Sequence, residues 1–193
     1  MRVIVGLGNP GHTFHGTRHN VGFDVIERFG KHRGIQVTQR LVHSADGRPA
    51  AVYGDDPKAA GALRLLMPLT MMNESGDALK GLQTATQDLL IVCDDVNLPL
   101  GRLRLRASGS AGGHHGLESC LATLGTEQVA RLRIGVGVDP LPHDLHDFVL
   151  SRFASSERPV IQQAVEQAVE ACEMWMKDGI EVAMNRYNSA QDA

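Results

Sequence analysis

The sequence predicts a single α/β domain spanning residues 1–193, with a mixed, mostly parallel twisted sheet flanked by helices. Three observations lead there. Short apolar runs of strand character are interleaved with segments of helical period. One run, Asp88 to Cys93 (DLLIVC), is continuously apolar, as a central strand buried on both faces is. Some strands also follow strands directly, which makes the sheet mixed. A chain of 193 residues with 42% hydrophobic content suits one compact domain that buries about 70% of its unfolded surface.

The elements follow in order. Residues 2–7 read as a strand, and residues 20–30 as a helix on the stripe Val21, Val25, Ile26 and Phe29. Strand-like segments lie near 35–42 and 49–53, and another at 62–67 stops at Pro68. Asn73 or Ser75 is a candidate cap for a helix running to about Thr84. After the 88–93 run, residues 101–107 alternate Arg102, Arg104 and Arg106 with Leu103 and Leu105, a strand with a charged face and a core face. A glycine-rich turn (108–113), a helix near 115–124 and a strand at 131–138 come next. Ser155 or Ser156 is expected to open a long helix carrying Ile161, Val165, Ala168, Cys172, Trp175 and Met176 on one stripe, and a short helix follows Gly179.

Composition narrows the function classes. No apolar run approaches the roughly 20 residues that span a bilayer. The start, Met1-Arg2-Val3, leads directly into a strand, so no cleavable signal peptide is expected. Three widely spaced cysteines without a C-x-x-C motif point to free thiols and a cytoplasmic protein. A net charge of −3 argues against non-specific nucleic-acid binding, while leaving room for a local basic patch such as the Arg strand.

The most informative stretch is VIVGLGNPGHTFHGTRHNVGF, residues 3–23. A strand runs into a glycine-rich turn, and His19 stands just ahead of a helix, where the dipole disfavours a positive imidazole and so favours a general base. Gly6 to Gly11 matches G-x-G-x-x-G, yet Pro10-Gly11 favours a turn and no acidic residue closes a second strand about 20 residues on, so a nucleotide-dependent oxidoreductase is a poor match. Polar residues recur where strands end: Asn9, Asn73, Asp94-Asp95 and His114-His115. A carboxylate such as Asp94 beside a histidine fixes its tautomer, and Asn9, Asn73 and His115 are donors for a carbonyl or developing oxyanion. Residues 108–112 lack the first glycine of a G-x-S-x-G elbow, and Cys93 is expected to be a buried, inert thiol. His143 to Asp147 offers close-spaced metal-ligand types but reads better as a polar loop. The residues therefore describe a His-centred, metal-free hydrolase acting through water.

Five motifs in fixed order carry a further resemblance: GLGNPG with TRHN-x-G, P-x-T-x-MN-x-SG (Pro68 to Gly76), DD-x-x-LP-x-G (Asp94 to Gly101), SGSAGGH (Ser108 to His114) and RLRIG-x-G (Arg131 to Gly137). With FVLSRF (Phe148 to Phe153) and EMW-x-x-DG (Glu173 to Gly179), the chain resembles the bacterial-type peptidyl-tRNA hydrolases over nearly its full length. The resemblance implies a monomeric, cofactor-free enzyme that cleaves the ester between peptide and tRNA. It implies His19 as general base, Asp94 as its orienting carboxylate and Asn9 near the ester. It places Asn73, residue 115, Met71, Met72 and Phe14 around the 3′ end and peptide, and Arg106 and Arg133 on tRNA phosphate. A non-catalytic RNA-binding homologue is the alternative within this fold. The chain departs from the family pattern at Phe14, usually Tyr, at Met71, usually Phe, and at His115, usually Asn. The last exchanges an amide with two donors for an imidazole with one donor and one acceptor when neutral.

Overall fold

The computed structural model describes residues 1–42, 48–58 and 62–189. Seven strands make one sheet: β1 (Arg2–Gly6), β2 (Gln39–Val42), β3 (Pro49–Asp56), β4 (Leu63–Pro68), β5 (Leu89–Pro99), β6 (Leu103–Arg106) and β7 (Ala130–Gly137), in the spatial order β2-β3-β4-β1-β5-β7-β6. The centre, β4-β1-β5-β7, is parallel. Antiparallel strands β2, β3 and β6 flank it. The mixed, mostly parallel sheet expected from the sequence is therefore present.

Side-chain alternation along the strands divides the core in two. Ile4, Leu90, Val92, Leu132 and Ile134 face helices α1 (Val21–Arg33), α4 (Arg158–Asp178) and α5 (Ile180–Ser189), packing on Val25, Phe29, Val165 and Trp175. Val3, Val5, Leu89, Ile91 and Cys93 face the other way, toward α2 (His115–Leu124) and a 3₁₀ segment, Met72–Leu79. Period two in a strand buried on both sides produces this three-layer arrangement.

One close approach sets where α1 begins. A Cβ on Gly22 would stand 2.5 Å from the Leu7 amide nitrogen and 2.6 Å from the Val92 carbonyl oxygen, and one on Gly6 would meet the Gly22 oxygen at 2.2 Å. Only glycine at both positions lets the first turn of α1 sit directly on the carboxyl ends of β1 and β5. The Leu7 amide donates to the Val92 carbonyl at 2.9 Å, which extends the contact of the two chains past the end of β1.

Several boundaries differ from the sequence expectation. The Asn73/Ser75 helix is a 3₁₀ segment whose cap is Met71, with no side-chain capping bond. Ser75 Oγ donates to the Met72 carbonyl at 2.8 Å, and Gly76 is pressed against α2, where an added Cβ would meet Ser119 O at 2.3 Å. That contact, together with the weak helix propensity of Asn-Glu-Ser-Gly-Asp, ends the segment at Leu79 rather than Thr84. β5 continues past Cys93 to Pro99, so Asp94 and Asp95 lie inside the strand instead of closing it. The pairing register with β7 shifts between Asp95 and Pro99. α4 starts at Arg158, with Glu157 as its cap and Pro159 in its first turn, later than Ser155 or Ser156. Residues 143–147, read as a loop, lead into a short helix α3 (Leu145–Leu150), because Asp144 Oδ1 accepts from the Asp147 amide at 3.0 Å and caps it.

Asp24 on α1 is mostly buried, and burial, reinforced by Glu27 and opposed by His15, pushes its carboxyl up to about 6. A raised carboxyl binds its proton more tightly in the folded chain than in the unfolded one. Asp24 therefore costs stability progressively as pH rises from about 4 to 6, and the full cost is present at pH 7. Asp24→Asn is expected to raise stability at pH 7 by roughly 1–2 kcal/mol, allowing for partial solvation. The gain is expected to shrink toward zero below pH 4, as read by denaturant titration at both pH values. An equal gain at both would show that ionisation of Asp24 is not the cause.

Candidate active site

The carboxyl edge of the parallel strands carries a cavity of about 430 Å³, where ligands bind in open α/β sheets. Its floor is built around Asp94. Asp94 is 2% exposed, yet its Oδ1 lies 2.8 Å from His19 Nδ1 and 3.0 Å from His114 Nε2. Burial alone would raise this carboxyl. The contacts with His114 and His19 outweigh that effect and hold it well below the usual carboxylate range. Asp94 is thus an anion that accepts from both rings.

His19 belongs to a single 3₁₀ turn, Arg18–Asn20, that enters α1. Its two neighbours fix it. The Asn20 side chain accepts from the Asn9 amide through Oδ1 and donates to the Asn9 carbonyl through Nδ2, both at 2.9 Å. Arg18 is buried and donates both Nη2 contacts to Glu157, at 2.7 and 2.9 Å. Its guanidinium also lies 4.4 Å from the Phe148 ring and 4.9 Å from the Phe153 ring, and its backbone amide donates to Ser151 O at 3.0 Å. The turn bearing His19 is therefore tied to the segment that includes and follows α3, whose Leu145, His146, Val149 and Leu150 form one wall of the cavity.

Asn9 is 4% exposed and faces the cavity. Its Oδ1 accepts from the Met72 amide at 2.7 Å, which identifies the oxygen and leaves Nδ2 as the donor this side chain can offer a ligand. Met72 is buried, whereas Met71 and Asn73 are exposed at the rim. Phe14 also lines the cavity, from the short 3₁₀ turn His12–Phe14. His115 is the first residue of α2; its side chain is 75% exposed, with Nδ1 3.7 Å from Glu118.

Nine of the ten residues singled out from the sequence line this one cavity, and Arg106 alone does not. Arg106 points outward from the edge strand β6 beside Arg104, while Leu103 and Leu105 are buried, as the alternation required. Arg133 reaches the cavity with much of its donor set already engaged. It donates to Asp95 Oδ2 and to the carbonyls of Ser110 and Ala111 at 3.0, 3.0 and 3.1 Å. Arg131, 1% exposed, donates to the carbonyls of Val129, Gly109 and Glu127. Together the two arginines hold the glycine-rich turn that delivers His114.

Sequence reasoning named His114, Asp95 and Arg18 without giving them a role, and it missed the α3 wall. His114 was visible only as the first of two adjacent histidines. Its contact with Asp94 depends on how the glycine turn folds back over β7. The signal for α3 was Asp144 three residues before Asp147, a capping pattern ahead of Phe148, Val149 and Leu150. His19, Asp94 and His114 are close enough to be metal ligands, but the 2.8 and 3.0 Å separations suit N–H···O hydrogen bonds, and both nitrogens would have to lose their protons to a metal. Asp144, His146 and Asp147 form a second such group, fully exposed. Cys93 is buried next to Asp94, and burial, with that charge, pushes its thiol far up, as expected of an inert core cysteine.

Known proteins match this chain over its whole length. The family model described as peptidyl-tRNA hydrolase matches residues 3–193. A peptidyl-tRNA hydrolase from Lachnoclostridium phytofermentans is 37% identical over 99% of this chain and 98% of that protein. One from Syntrophomonas wolfei is 41% identical over 97% of this chain and 100% of that protein. The crystal structure of peptidyl-tRNA hydrolase from Acinetobacter baumannii superposes with a TM-score of 0.86 at 30% identity, covering 98% of this chain and 95% of that one. With a His–carboxylate pair on the floor of the cavity and these matches over nearly the full length, the chain belongs to the peptidyl-tRNA hydrolase family.

Proposed function

We propose that this protein hydrolyses the ester joining a peptide, or an N-blocked amino acid, to the 3′ end of tRNA, and so recycles tRNA from peptidyl-tRNA released by ribosomes. The observation that carries this reading is the 2.8 Å contact of His19 Nδ1 with the buried Asp94 anion, at the floor of the cavity. Nδ1 donates its hydrogen to Asp94, so Nε2 keeps a lone pair and serves as the general base. It takes a proton from water, the resulting hydroxide adds to the ester carbonyl, and the tetrahedral intermediate forms. Collapse breaks the bond to the ribose oxygen, which recovers the proton from His19, leaving a free carboxylic acid and a tRNA hydroxyl.

The remaining side chains bind and orient. Asn9 Nδ2 and Asn73 are placed to donate to the carbonyl or its oxyanion, and His115 occupies the adjoining rim. Phe14 offers a ring for the terminal base to stack on, with Met71 and Met72 as pliable apolar surface for the peptide. Arg106, outside the cavity on an exposed strand face, suits the phosphate backbone of the acceptor stem, and Arg133 reaches the same side of the site. This reading is of a monomeric enzyme that needs no cofactor. Among the described residues no helix is long and apolar enough to cross a membrane. A substrate made by ribosomes places the activity in the cytoplasm.

Turnover of a purified N-acetylaminoacyl-tRNA tests the assignment directly. His19→Ala is expected to lower kcat by ~10²–10⁴-fold, with the fold and tRNA binding kept. Asp94→Asn is expected to cost less, since it removes only orientation and basicity. A His19→Ala enzyme retaining most of the wild-type rate would end the water-activation reading.

Arg106→Ala is expected to raise KM for full-length substrate and to reduce the slope of log KM against log salt by about one counterion. Cleavage of a small ester fragment without the tRNA body should be unchanged. Equal losses on both substrates would give Arg106 a structural part only.

A further inference from the structure

The Asp94 carboxylate serves two imidazoles through a single oxygen, and the second can be assigned a protonation state from its hydrogen bonds alone. His114 is the N-cap of α2. Its Nδ1 accepts from the backbone amide of Leu117 at 3.1 Å. An amide can only donate, so Nδ1 must carry a lone pair. The ring hydrogen is therefore on Nε2, which donates to Asp94 Oδ1 at 3.0 Å. Protonating His114 would sacrifice the cap and put positive charge at the positive end of a helix dipole. The ring is thus held neutral, as a permanent donor to Asp94.

From this geometry we infer that His114 is a positioning residue, locked by the α2 cap as its Nε2–H tautomer, which shares Asp94 Oδ1 with His19 and thereby limits how tightly His19 holds a proton. A carboxylate oxygen that accepts a second N–H has less charge to offer the first. An unshared carboxylate would stabilise the His19 imidazolium more than this shared one does. The second donor also pins Oδ1 at the spot where it orients His19. The rings of His19 and His114 lie 5.0 Å apart at 43°. The other charged or titratable groups around His19 are Asp95 on β5, Arg133 on β7, His115 on α2, His146 on α3, and Arg18 on its own turn. None of these changes when His114 alone is replaced.

The inference rests on the proposed hydrolase reading, but its tautomer part can be read without turnover. Two substitutions separate the two ends of the ring. Asn places its oxygen near Nδ1 and keeps the cap without reaching Asp94. Gln places its amide near Nε2 and keeps the donor without the cap. In wild type, long-range ¹⁵N–¹H spectra of the imidazoles are expected to show His114 bearing hydrogen on Nε2 and not on Nδ1. With N-acetylaminoacyl-tRNA as substrate, His114→Asn is expected to move the acidic limb of kcat/KM up by ~0.5–1 pH unit, the equivalent of one lost hydrogen bond. His114→Gln should leave that limb in place while lowering Tm. A His114 hydrogen on Nδ1 would overturn the inference, as would a limb unmoved in His114→Asn or moved equally in both variants. Absence of turnover in the wild type would instead count against the hydrolase reading, with the spectra still deciding the tautomer.

Discussion

Everything at the catalytic edge depends on the contact of two glycines. Gly6 ends β1 and Gly22 opens α1, and a methyl group on either would drive into backbone at 2.6 Å or less. Because the clash would be with backbone rather than with a movable side chain, nothing nearby can yield. Their bare Cα atoms bring the helix start down onto β1 and β5, and so bring the turn that bears His19 within hydrogen-bonding distance of a carboxylate inside β5. The rest of the site elaborates this one approach. Asn20 ties back to Asn9, Asn9 reaches across to Met72, and three chain segments are joined by three hydrogen bonds of 2.7 to 2.9 Å.

The second organising feature is a buried charge with an unusual set of neighbours. Asp94 follows the apolar core run Leu89 to Cys93, where an isolated carboxylate would take up a proton. Two imidazole donors to one of its oxygens keep it ionised. Each is presented by a helix start, His19 ahead of α1 and His114 at the cap of α2. The glycine turn before His114 has no core of its own; Arg131 and Arg133 hold it by its carbonyls. A buried arginine satisfied by carbonyls rather than carboxylates is a costly device, and its burial, with the like charge of Arg133, lowers the proton affinity of Arg131. What it provides is geometric precision in a loop that must place one ring nitrogen to a few tenths of an ångström.

Arg18 has the matching duty on the other side. Its guanidinium lies against two phenylalanine rings and forms paired bonds to Glu157, whose carboxylate also accepts from the Ala154 amide. Ion pairs of this kind contribute little net stability once desolvation is counted. Their effect here is registry: the segment that forms the α3 wall cannot shift without disturbing the residue next to His19.

Much of this protein was legible from its residues alone. The alternation of Arg and Leu in 102–106 indicated β6, which begins at Leu103 and leaves Arg102 before it, because the two leucines need the core and the arginines need solvent. The run Asp88 to Cys93 declared a strand buried on both faces, and the glycine-rich turn with His19 ahead of a helical stripe located the site. The motif order indicated the family. Boundaries failed where local propensity met packing: Ser75 turned its hydroxyl onto Met72, Gly76 was pressed onto α2, and pairing with β7 carried β5 past its apolar run. The identity of the second histidine on Asp94 was likewise out of reach, since His114 and His115 are adjacent and chemically identical in sequence. Only the fold of the glycine turn, held by two arginines from β7, decides that one ring turns inward to a buried carboxylate while its neighbour faces solvent.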